Sequence, residues 1–316
     1  MSRPFIVVPD GFDKELFAKL KAISEFEVHP ESKLTQEKLK ELLPRVNGLV
    51  IRSATTVTAE MVDLAPNLKY VIRAGEGTDN IDKKYCQQKG VKVSNTPGAN
   101  SNSAAEHAIA LMFTVLRKTA WANESMKRGE WDKNSFAGNE VANKTVGFLG
   151  FGKIGQIVAR RLAGFEPKIL FFDPTVNSTD IPYAERVNDI KEVFKKSDII
   201  TMHLPKIDST KNLVNKDLLK LMKPSAILIN AARGGIVNEA DLYEILAAKK
   251  ILGAGFDVFA TEPLDKDSKL RTLPNLVLTP HLGASTDEAQ LRVGEIAIEE
   301  LREFFINGKL LNEVRS

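Results

Sequence analysis

A glycine-rich segment near the middle of the chain has the spacing of a phosphate-binding loop. Gly150, Gly152 and Gly155 directly follow the strand-like run 146–149 and precede a helical period of apolar residues. In such a loop the first glycine permits a tight turn, the second lets the backbone approach a pyrophosphate, and the third lets helix and strand pack closely. The N–H groups at the start of the helix then face the phosphates. This context predicts a dinucleotide-binding site, whereas the alternative is an ordinary tight turn.

An acidic residue follows the next strand-like run. The run 168–172 ends in Asp173, about 20 positions after the loop, where a carboxylate bonds the adenosine ribose hydroxyls. The alternative is a turn-forming acid before Pro174. Because no Arg stands among the next residues, Pro174 and Thr175, and because a carboxylate repels a 2′-phosphate, the pattern favours NAD over NADP.

The composition is that of an ordinary globular protein. Of 316 residues, 43% are apolar and 27% are charged, which excludes collagen-like, disordered and membrane classes. With 44 Lys and Arg against 41 Asp and Glu, the net charge of +3 does not indicate a nucleic-acid partner. We expect no signal peptide and no membrane-spanning segment. The single cysteine, Cys86, forms no internal disulfide or cysteine metal cluster, so a reducing compartment fits best and we expect a cytoplasmic protein.

Short apolar runs alternate with helical patterns along the chain. Because the runs are continuous rather than alternating, we expect strands that are buried on both faces of parallel sheets. Capping-box patterns predict helices that begin at Ser103 and Ser285 and run toward Arg117 and Ile306. The chain is therefore predicted to be an α/β protein of about two domains. The strand-like runs are 5–8, 48–51, 70–72, 146–149, 169–172, 199–202, 226–229, 254–256 and 276–278.

Longer motifs accompany the glycine loop. Together they closely resemble those of the D-isomer-specific 2-hydroxyacid dehydrogenases, and the resemblance covers nearly the whole chain. The segments that carry it are 73–82, 95–101, 230–239, 256–263 and 279–286. Within the family, the phosphoglycerate dehydrogenase branch is the most similar, through the segments 51–58, 125–131 and 280–290.

The resemblance implies a catalytic set of Arg233, Glu262 and His281. Oxidation of a secondary alcohol by hydride loss requires a base for the hydroxyl proton, and an imidazole that titrates near neutrality suits this task in both directions. Glu262 would fix the tautomer of His281, and Arg233 would pair with a substrate carboxylate and polarise the reacting carbonyl. Taken singly, each residue has an alternative interpretation. Arg233 also fits an ordinary ion-pair partner, Glu262 a surface turn before Pro263, and His281 a loop or capping histidine.

The resemblance also implies binding residues, and no metal site. Those for NAD are Gly150, Gly152, Lys153, Ile154, Gly155, Asp173, Leu204, Pro205, Ala231, Ala232, Asp257, Gly283, Ala284 and Glu76. Those for the substrate are Arg52, Ser53, Arg73, Gly75, Asn100 and Lys133. Arg52 and Arg73 follow strand-like runs, where they would bind anionic groups at the mouth of a parallel sheet; the alternative is that they are surface cations.

Some positions depart from the family pattern. Glu76 stands where the family has a small or apolar residue beside the nicotinamide, so it either accepts a hydrogen bond from the carboxamide or signals a changed substrate. Lys133 stands where related enzymes place an Arg that reaches the partner subunit's site; it keeps the charge but loses the bidentate fork. Because the chain ends soon after its last helix, we expect neither the regulatory domain of longer members nor feedback by serine.

The resemblance implies two Rossmann-like or flavodoxin-like parallel-sheet domains with the active site in a cleft between them. The expected substrate-binding domain is discontinuous, 1–98 with 287–316, and the expected NAD-binding Rossmann domain is 99–286. The expected reaction is the NAD-dependent oxidation of 3-phospho-D-glycerate to 3-phosphohydroxypyruvate, the entry to serine biosynthesis. The alternatives are a hydroxypyruvate, glyoxylate or other D-2-hydroxyacid reductase, and an interaction protein that senses NAD, as the family's corepressors do.

We also expect a homodimer whose interface uses residues 121–136. Trp121, Met126, Trp131 and Phe136 lie in this segment, and aromatic residues and Met are enriched at the cores of interfaces. The alternative is that these side chains anchor a long connection to the core of their own chain.

Overall fold

The computed structural model describes residues 3–315. Met1, Ser2 and Ser316, which belong to the predicted substrate-binding domain, lie outside the described residues. The chain forms two compact units: a first unit, Met1–Asn100 with Ala284–Ser316, and a second unit, Ser101–Gly283. The domain boundaries predicted at 98 and 287 stay a prediction.

The strands explain the apolar runs of the sequence. Each predicted run coincides with a strand to within one residue at either end, whereas the strands Glu27–Val28, Lys92–Asn95 and Ala184–Arg186 were not predicted because they are short or rich in polar residues. The strands of residues 3–315 are β1 (Phe5–Val7), β2 (Glu27–Val28), β3 (Gly48–Ile51), β4 (Tyr70–Arg73), β5 (Lys92–Asn95), β6 (Thr145–Leu149), β7 (Lys168–Phe172), β8 (Ala184–Arg186), β9 (Ile199–Met202), β10 (Ile227–Asn230), β11 (Gly253–Phe256) and β12 (Leu276–Leu278).

The helices lie between these strands, and one more follows the last strand. Within the described part of the chain they are α1 (Lys14–Lys21), α2 (Gln36–Leu42), α3 (Ala59–Asp63), α4 (Lys83–Gln88), α5 (Ser101–Arg117), α6 (Thr119–Lys127), α7 (Lys153–Leu162), α8 (Ile190–Lys196), α9 (Lys216–Leu219), α10 (Glu239–Ala247) and α11 (Asp287–Phe305). Short 3₁₀ turns occupy Leu43–Arg45, Ala163–Phe165, Asp208–Thr210 and Lys269–Thr272. No helix of residues 3–315 is long and apolar enough to cross a membrane.

Both predicted helix starts were wrong by one or two residues. The first of these helices, α5, begins at Ser101 rather than Ser103. A turn in which Ala99 N donates to Thr96 O ends two residues before Ser101, so the helix starts directly after this turn. The second, α11, is capped by Thr286, whose hydroxyl accepts a hydrogen bond from Ala289 N at 3.2 Å. Because either hydroxyl of the pair 285–286 suits a cap, the sequence pattern did not distinguish them.

Each unit is built on one parallel sheet, which confirms the predicted α/β class. In the first unit the strand order is β2-β1-β3-β4-β5, and in the second it is β12-β11-β10-β9-β6-β7-β8. The described pairings between these strands are all parallel. The order reverses at β1/β3 in the first sheet and at β6/β9 in the second, and ligands of such sheets bind at the carboxyl ends of the strands beside the reversal.

Apolar clusters cover both faces of each sheet. In the first unit, Leu49 and Ile51 belong to one buried cluster and Val50 to the opposite one. In the second unit, Leu170 and Phe171 likewise face different clusters. Burial on both faces explains why the strands read as continuous apolar runs, and it holds their carboxyl ends at fixed positions.

A buried acid on α11 makes the first unit sensitive to pH. Glu300 is fully buried and accepts hydrogen bonds from Ser94 Oγ at 2.6 Å and from Asn312 Nδ2 at 2.7 Å. Burial raises the pKa of Glu300 to about 7 from 4.5. In the unfolded chain Glu300 ionises near pH 4.5, whereas in the folded chain it ionises near pH 7. The free energy of unfolding therefore falls as the pH rises from 4.5 to 7, and it falls no further through this group at higher pH.

We expect Glu300→Gln to be more stable than the unmodified chain above neutral pH. The gain is up to about 3 kcal/mol near pH 8 and disappears about one unit below pH 4.5, where the acid is protonated in both the folded and the unfolded chain. Urea unfolding at the two pH values measures the difference. Glu299→Gln is the control, because this carboxylate is exposed and pairs with Arg302 at 3.9 Å. An equal effect of Glu300→Gln at both pH values would contradict the assignment.

Candidate active site

The glycine loop joins β6 to α7 at the point where the strand order reverses. Gly150 has a φ of +86°, and a Cβ there would lie 2.6 Å from the carbonyl oxygen of His203. A Cβ on Gly155 would lie 2.8 Å from the carbonyl oxygen of Gly150, so the helix packs directly on the turn. At Gly152, by contrast, no atom lies within 4 Å of an added Cβ. A closed turn beside an open glycine at a helix start fits the pyrophosphate of a dinucleotide.

Asp173 follows β7, the neighbour of β6, and fastens the glycine loop. Its Oδ2 accepts a hydrogen bond from Phe151 N at 2.7 Å. Its Oδ1 accepts bonds from Thr175 N, Thr175 Oγ1 and Val176 N at 2.7, 2.8 and 2.9 Å. Burial by itself raises the pKa of Asp173, but the bonds to the ionised form outweigh it and the pKa is lowered. Since a carboxylate oxygen has two lone pairs, Oδ2 keeps one acceptor position for a hydroxyl donor.

His203, which the sequence analysis missed, lies under this loop. Its Nε2 is 3.0 Å from Thr201 Oγ1, and its ring packs on Phe148 with the centroids 5.8 Å apart. Burial lowers the pKa of His203 to about 3, so the imidazole is neutral at pH 7. The residue therefore shapes the loop and brings no charge to it. The one available signal was its place directly after an apolar strand-like run.

The other predicted NAD residues of the second unit follow the strands that continue from this reversal. They extend the glycine loop along one edge of the sheet, because the carboxyl ends of parallel strands meet at the same edge. Leu204 and Pro205 follow β9, Ala231 and Ala232 follow β10, Asp257 follows β11, Gly283 follows β12, and Lys153 and Ile154 are the first residues of α7. Ala284 belongs to the first unit.

Two of the predicted catalytic side chains are in contact at this edge. His281 Nδ1 lies 2.7 Å from Glu262 Oε2, and Glu262 Oε1 accepts a hydrogen bond from Phe259 N at 3.0 Å. Burial by itself raises the pKa of Glu262, but these two contacts lower it by more, so the pKa lies below its ordinary value. The ionised carboxylate orients the imidazole through Nδ1, and Nε2 is the ring nitrogen that takes no part in this contact.

Asp257 holds the loop that carries His281. The loop backbone is left-handed at His281, where φ is +54°, a conformation that needs support from its surroundings. Asp257 O accepts from His281 N at 2.8 Å, while its carboxylate accepts from Leu282 N at 2.7 Å and from Gly283 N at 2.8 Å. The loop therefore wraps around one fully buried aspartate.

His107 and Thr279 complete the wrapping and were also missed. Thr279 Oγ1 donates to Asp257 Oδ1 at 2.6 Å, and His107 Nε2 lies 3.1 Å from both of these oxygens. Burial by itself raises the pKa of Asp257, but the bonds from His107, Thr279 and Leu282 lower it by more. His107 lies in the middle of α5, where its position among apolar residues gave no sign of this contact.

Arg233 lies in a loop that interlocks with the loop of Glu262. Asn230 ties the Arg233 loop from within, since its Oδ1 accepts from Ala232 N and its Nδ2 donates to Arg233 O, both at 3.1 Å. A Cβ on Gly234 would lie 1.7 Å from Phe259 O, so only glycine permits this approach. Because Phe259 N also binds Glu262, the two loops are fixed together.

The predicted substrate residues of the first unit lie at the carboxyl edge of its own sheet. Arg52 and Ser53 follow β3, and Asp10 binds Arg52 N at 2.6 Å and Thr55 N at 3.0 Å through Oδ2. Burial lowers the pKa of the Arg52 guanidinium, against the attraction of Asp10. Asn100 ends this part of the unit, directly before α5.

Arg73 depends on the glycine two residues later. It ends β4, and its side chain folds back so that NH1 donates to Ala74 O at 3.1 Å. A Cβ on Gly75, whose φ is +151°, would lie only 1.5 Å from that nitrogen. Gly75 therefore acts by leaving space for the guanidinium.

The Glu76 carboxylate binds the backbone of its own unit. Its Oε2 accepts from Gly98 N at 2.6 Å, and its carbonyl oxygen accepts from Asn95 Nδ2 at 2.5 Å. These bonds tie Glu76 to the turn before α5. The predicted contact of Glu76 with the nicotinamide stays a prediction.

The segment predicted to form a subunit interface is unusually exposed. Trp131 is 84% exposed and Met126 is 53% exposed, while Trp121 and Phe136 are half-buried. Lys133 is exposed beside them, on the segment that follows α6.

Comparison with known proteins identifies the class to which this fold and site belong. Residues 109–283 match the description "D-isomer specific 2-hydroxyacid dehydrogenase, NAD binding domain". The chain is 44% identical over 303 residues to a hydroxypyruvate reductase of Thermotoga maritima, covering 95% of this chain and 98% of that protein. It is 40% identical over 311 residues to a D-3-phosphoglycerate dehydrogenase of Methanocaldococcus jannaschii, covering 98% of this chain and 59% of that protein.

A solved structure agrees over the full chain. An acyclic imino acid reductase in complex with NADPH and D-Arg has a TM-score of 0.87 and 31% identity, covering 98% of this chain and 99% of that one. The chain thus spans a little over half the length of the phosphoglycerate dehydrogenase and nearly all of the other two proteins. It belongs to the D-isomer-specific 2-hydroxyacid dehydrogenase family, and its second unit carries the family's NAD-binding domain.

Proposed function

We propose that the protein oxidises 3-phospho-D-glycerate to 3-phosphohydroxypyruvate with NAD, a reaction at the entry to serine biosynthesis. The observation that carries the proposal is the 2.7 Å contact between His281 Nδ1 and Glu262 Oε2 at the sheet edge that also holds the glycine loop. A histidine oriented by an ionised carboxylate is suited to accept the proton of a substrate hydroxyl.

His281 takes the hydroxyl proton during oxidation and returns it during reduction. Glu262 keeps the imidazole in one tautomer and stabilises its charged form. Arg233 binds the substrate carboxylate through its planar fork and polarises the C2 oxygen. The chemistry that NAD supplies when bound is acceptance of the hydride from C2. The glycine loop, with Gly150, Gly152 and Gly155, would hold the pyrophosphate.

The selectivity for NAD rests on Asp173. Its remaining Oδ2 acceptor position is suited to a ribose hydroxyl, and its negative charge repels a 2′-phosphate. The lowered pKa keeps Asp173 ionised throughout the physiological range. We therefore propose that NAD binds more tightly than NADP.

The phosphorylated substrate is proposed from the cations of the first unit. Arg52 and Arg73 stand at the ends of neighbouring strands, where guanidinium groups can bind a phosphate and a carboxylate. A second candidate function is the reduction of hydroxypyruvate, and the relative of that name matches this chain over 98% of its own length. The two candidate reactions differ chiefly in whether the substrate carries a phosphate.

Steady-state assays with 3-phospho-D-glycerate and D-glycerate separate the two candidates. We expect kcat/KM for the phosphorylated acid to be larger by about tenfold or more, since one hydrogen bond to a charged group has that effect. Arg52→Gln should remove most of the difference. Equal or better use of D-glycerate would favour the hydroxypyruvate reductase.

We further propose a homodimer formed through residues 121–136. The exposed Trp131 and Met126 provide the apolar and aromatic surface typical of an interface core. In the dimer, Lys133 would approach the partner's substrate phosphate. Sedimentation of the unmodified protein and of Trp131→Asp measures this assembly. If the unmodified protein sedimented as a monomer, the proposed dimer would be contradicted.

Lys133→Ala should then weaken the binding of 3-phospho-D-glycerate more than the binding of D-glycerate. We expect KM for the phosphorylated substrate to rise by about threefold at low salt, and the effect to shrink as salt screens the charge. Lys127→Ala is the control, because Lys127 is an exposed lysine of the same segment and pairs with Glu124 at 3.4 Å. Equal losses for both substrates would remove the proposed role of Lys133.

We also propose a cytoplasmic location. The single cysteine of the chain, Cys86, is buried, and burial raises the pKa of its thiol to about 11. A chain with one cysteine forms no internal disulfide, and this fits a reducing compartment. Fractionation of cells that produce the protein tests the location.

A further inference from the structure

An arginine lies beside the proposed ribose site, where the sequence pattern showed none. Arg186 ends β8, the strand next to β7, and pairs in register with Phe171. Because the two strands are parallel, Arg186 and Asp173 leave the sheet at the same edge. Arg186 stands 13 positions after Asp173 on a short strand with polar residues, so no local pattern in the sequence indicates this cation.

The guanidinium of Arg186 is held by neutral oxygen atoms. Nε donates to Val176 O at 3.2 Å, NH2 donates to Asp173 O at 3.3 Å, and NH1 donates to Asn188 Oδ1 at 2.7 Å. Carbonyl and amide oxygens fix the group without cancelling its charge. An arginine has five N–H donors, so these three bonds leave two for another acceptor.

The two ends of the loop 173–176 are therefore tied by opposite charges. The Asp173 carboxylate binds the N–H groups of Thr175 and Val176, while Arg186 binds carbonyl oxygens of Asp173 and Val176. The side chain of Asp173 is buried, whereas Pro174 and Thr175 are exposed to solvent. Around an adenosine ribose, a carboxylate selects the free hydroxyl and an arginine accommodates a 2′-phosphate.

We propose that Arg186 is a second specificity-determining residue of the ribose site, a phosphate-binding cation whose effect the Asp173 carboxylate opposes. The inference rests on the proposed function, because it concerns the same NAD site. In the unmodified chain the negative charge of Asp173 dominates and NAD is selected. The spare N–H donors of Arg186 attract a 2′-phosphate whether or not Asp173 is charged, so removal of the carboxylate charge by one substitution opens the site to NADP.

Binding of NADH and NADPH tests this without turnover. Dissociation constants are measured by nicotinamide fluorescence for the unmodified chain, Asp173→Asn, Arg186→Gln and the double variant. We expect Asp173→Asn to tighten the binding of NADPH by about tenfold, and we expect the added Arg186→Gln to remove that gain. Tenfold is the effect of one hydrogen bond to a charged group. Arg160→Gln is the control for net charge, because this exposed arginine of the same unit pairs with Asp180 at 2.6 Å.

The Asn variant also loses loop hydrogen bonds, so Arg186→Gln is measured alone as well. With Asp173 intact, Arg186→Gln should still weaken the binding of NADPH by about tenfold, while the dissociation constant of NADH changes by less than about twofold. A gain in NADPH affinity that persists in the double variant, or equal losses for NADH and NADPH in Arg186→Gln, would overturn the inference. If the unmodified chain did not bind NADH at all, the proposed function itself would fail.

Discussion

Replacing His281 with Asn should lower kcat by about 10²–10⁴-fold, the usual contribution of one positioned acid–base group. Asparagine preserves the left-handed backbone at this position, because Asn adopts positive φ more readily than most residues. It provides no group that titrates near neutral pH. The hydrogen bonds of Asp257 to the loop backbone remain, so the loss reflects the imidazole itself.

Three measurements separate this role from a structural one. Steady-state rates give the loss in kcat, NADH fluorescence should give a dissociation constant within about twofold of the unmodified protein, and the pH profile of kcat/KM should lose the limb that reports the base. His29→Asn is the matched control, because His29 lies in the first unit, 3.1 Å from Glu31 O. Retention of most of the rate by His281→Asn would show that the proton has another acceptor.

Replacing Arg233 with Lys should lower kcat/KM by about 10²-fold, because a lysine keeps the charge but loses the bidentate contact with a carboxylate. Arg233→Ala should be worse and should raise KM as well as lower kcat. The neighbouring backbone is held by Asn230 and by the close approach of Gly234 to Phe259, so the loop does not depend on the side chain of Arg233 alone.

The control for this substitution is another arginine of the second unit. Arg271 binds the carbonyl oxygens of Asp265 and Leu264 at 2.8 and 2.9 Å, on the exposed segment around the last 3₁₀ turn. Arg271→Lys should leave kcat/KM within about twofold, since exposed polar contacts of this kind are weak. If Arg233→Lys had an effect as small as Arg271→Lys, the fork of Arg233 would have no part in substrate binding.

The sequence predicted most of the strands because burial on both faces leaves a local signal. Runs such as 48–51 and 199–202 coincide with β3 and β9 over their whole length. The strand β8 lacks that signal, since Glu185 and Arg186 are polar, and for this reason the place of Arg186 beside Asp173 was not predicted. Local patterns report burial and turns, and they do not report which later strand will lie beside an earlier loop.

Most contacts around the proposed site could not be predicted from the sequence. The motif order correctly suggested that Glu262 and His281 would meet, whereas the wrapping of 279–283 around Asp257 depends on atoms more than 20 positions apart. His107 contributes from a helix still further away, and its position in α5 resembles that of a core residue. Such support follows only from tertiary packing.

The most direct test of the account is the transfer of hydrogen from C2 of a D-2-hydroxy acid. The unmodified protein is given NAD and 3-phospho-D-glycerate that carries deuterium at C2, and the NADH formed is analysed by mass spectrometry. We predict deuterated NADH, with no product from the L enantiomer and almost none from His281→Asn. NADH without deuterium, or no NADH from any D-2-hydroxy acid of a panel that includes D-glycerate, would contradict the account.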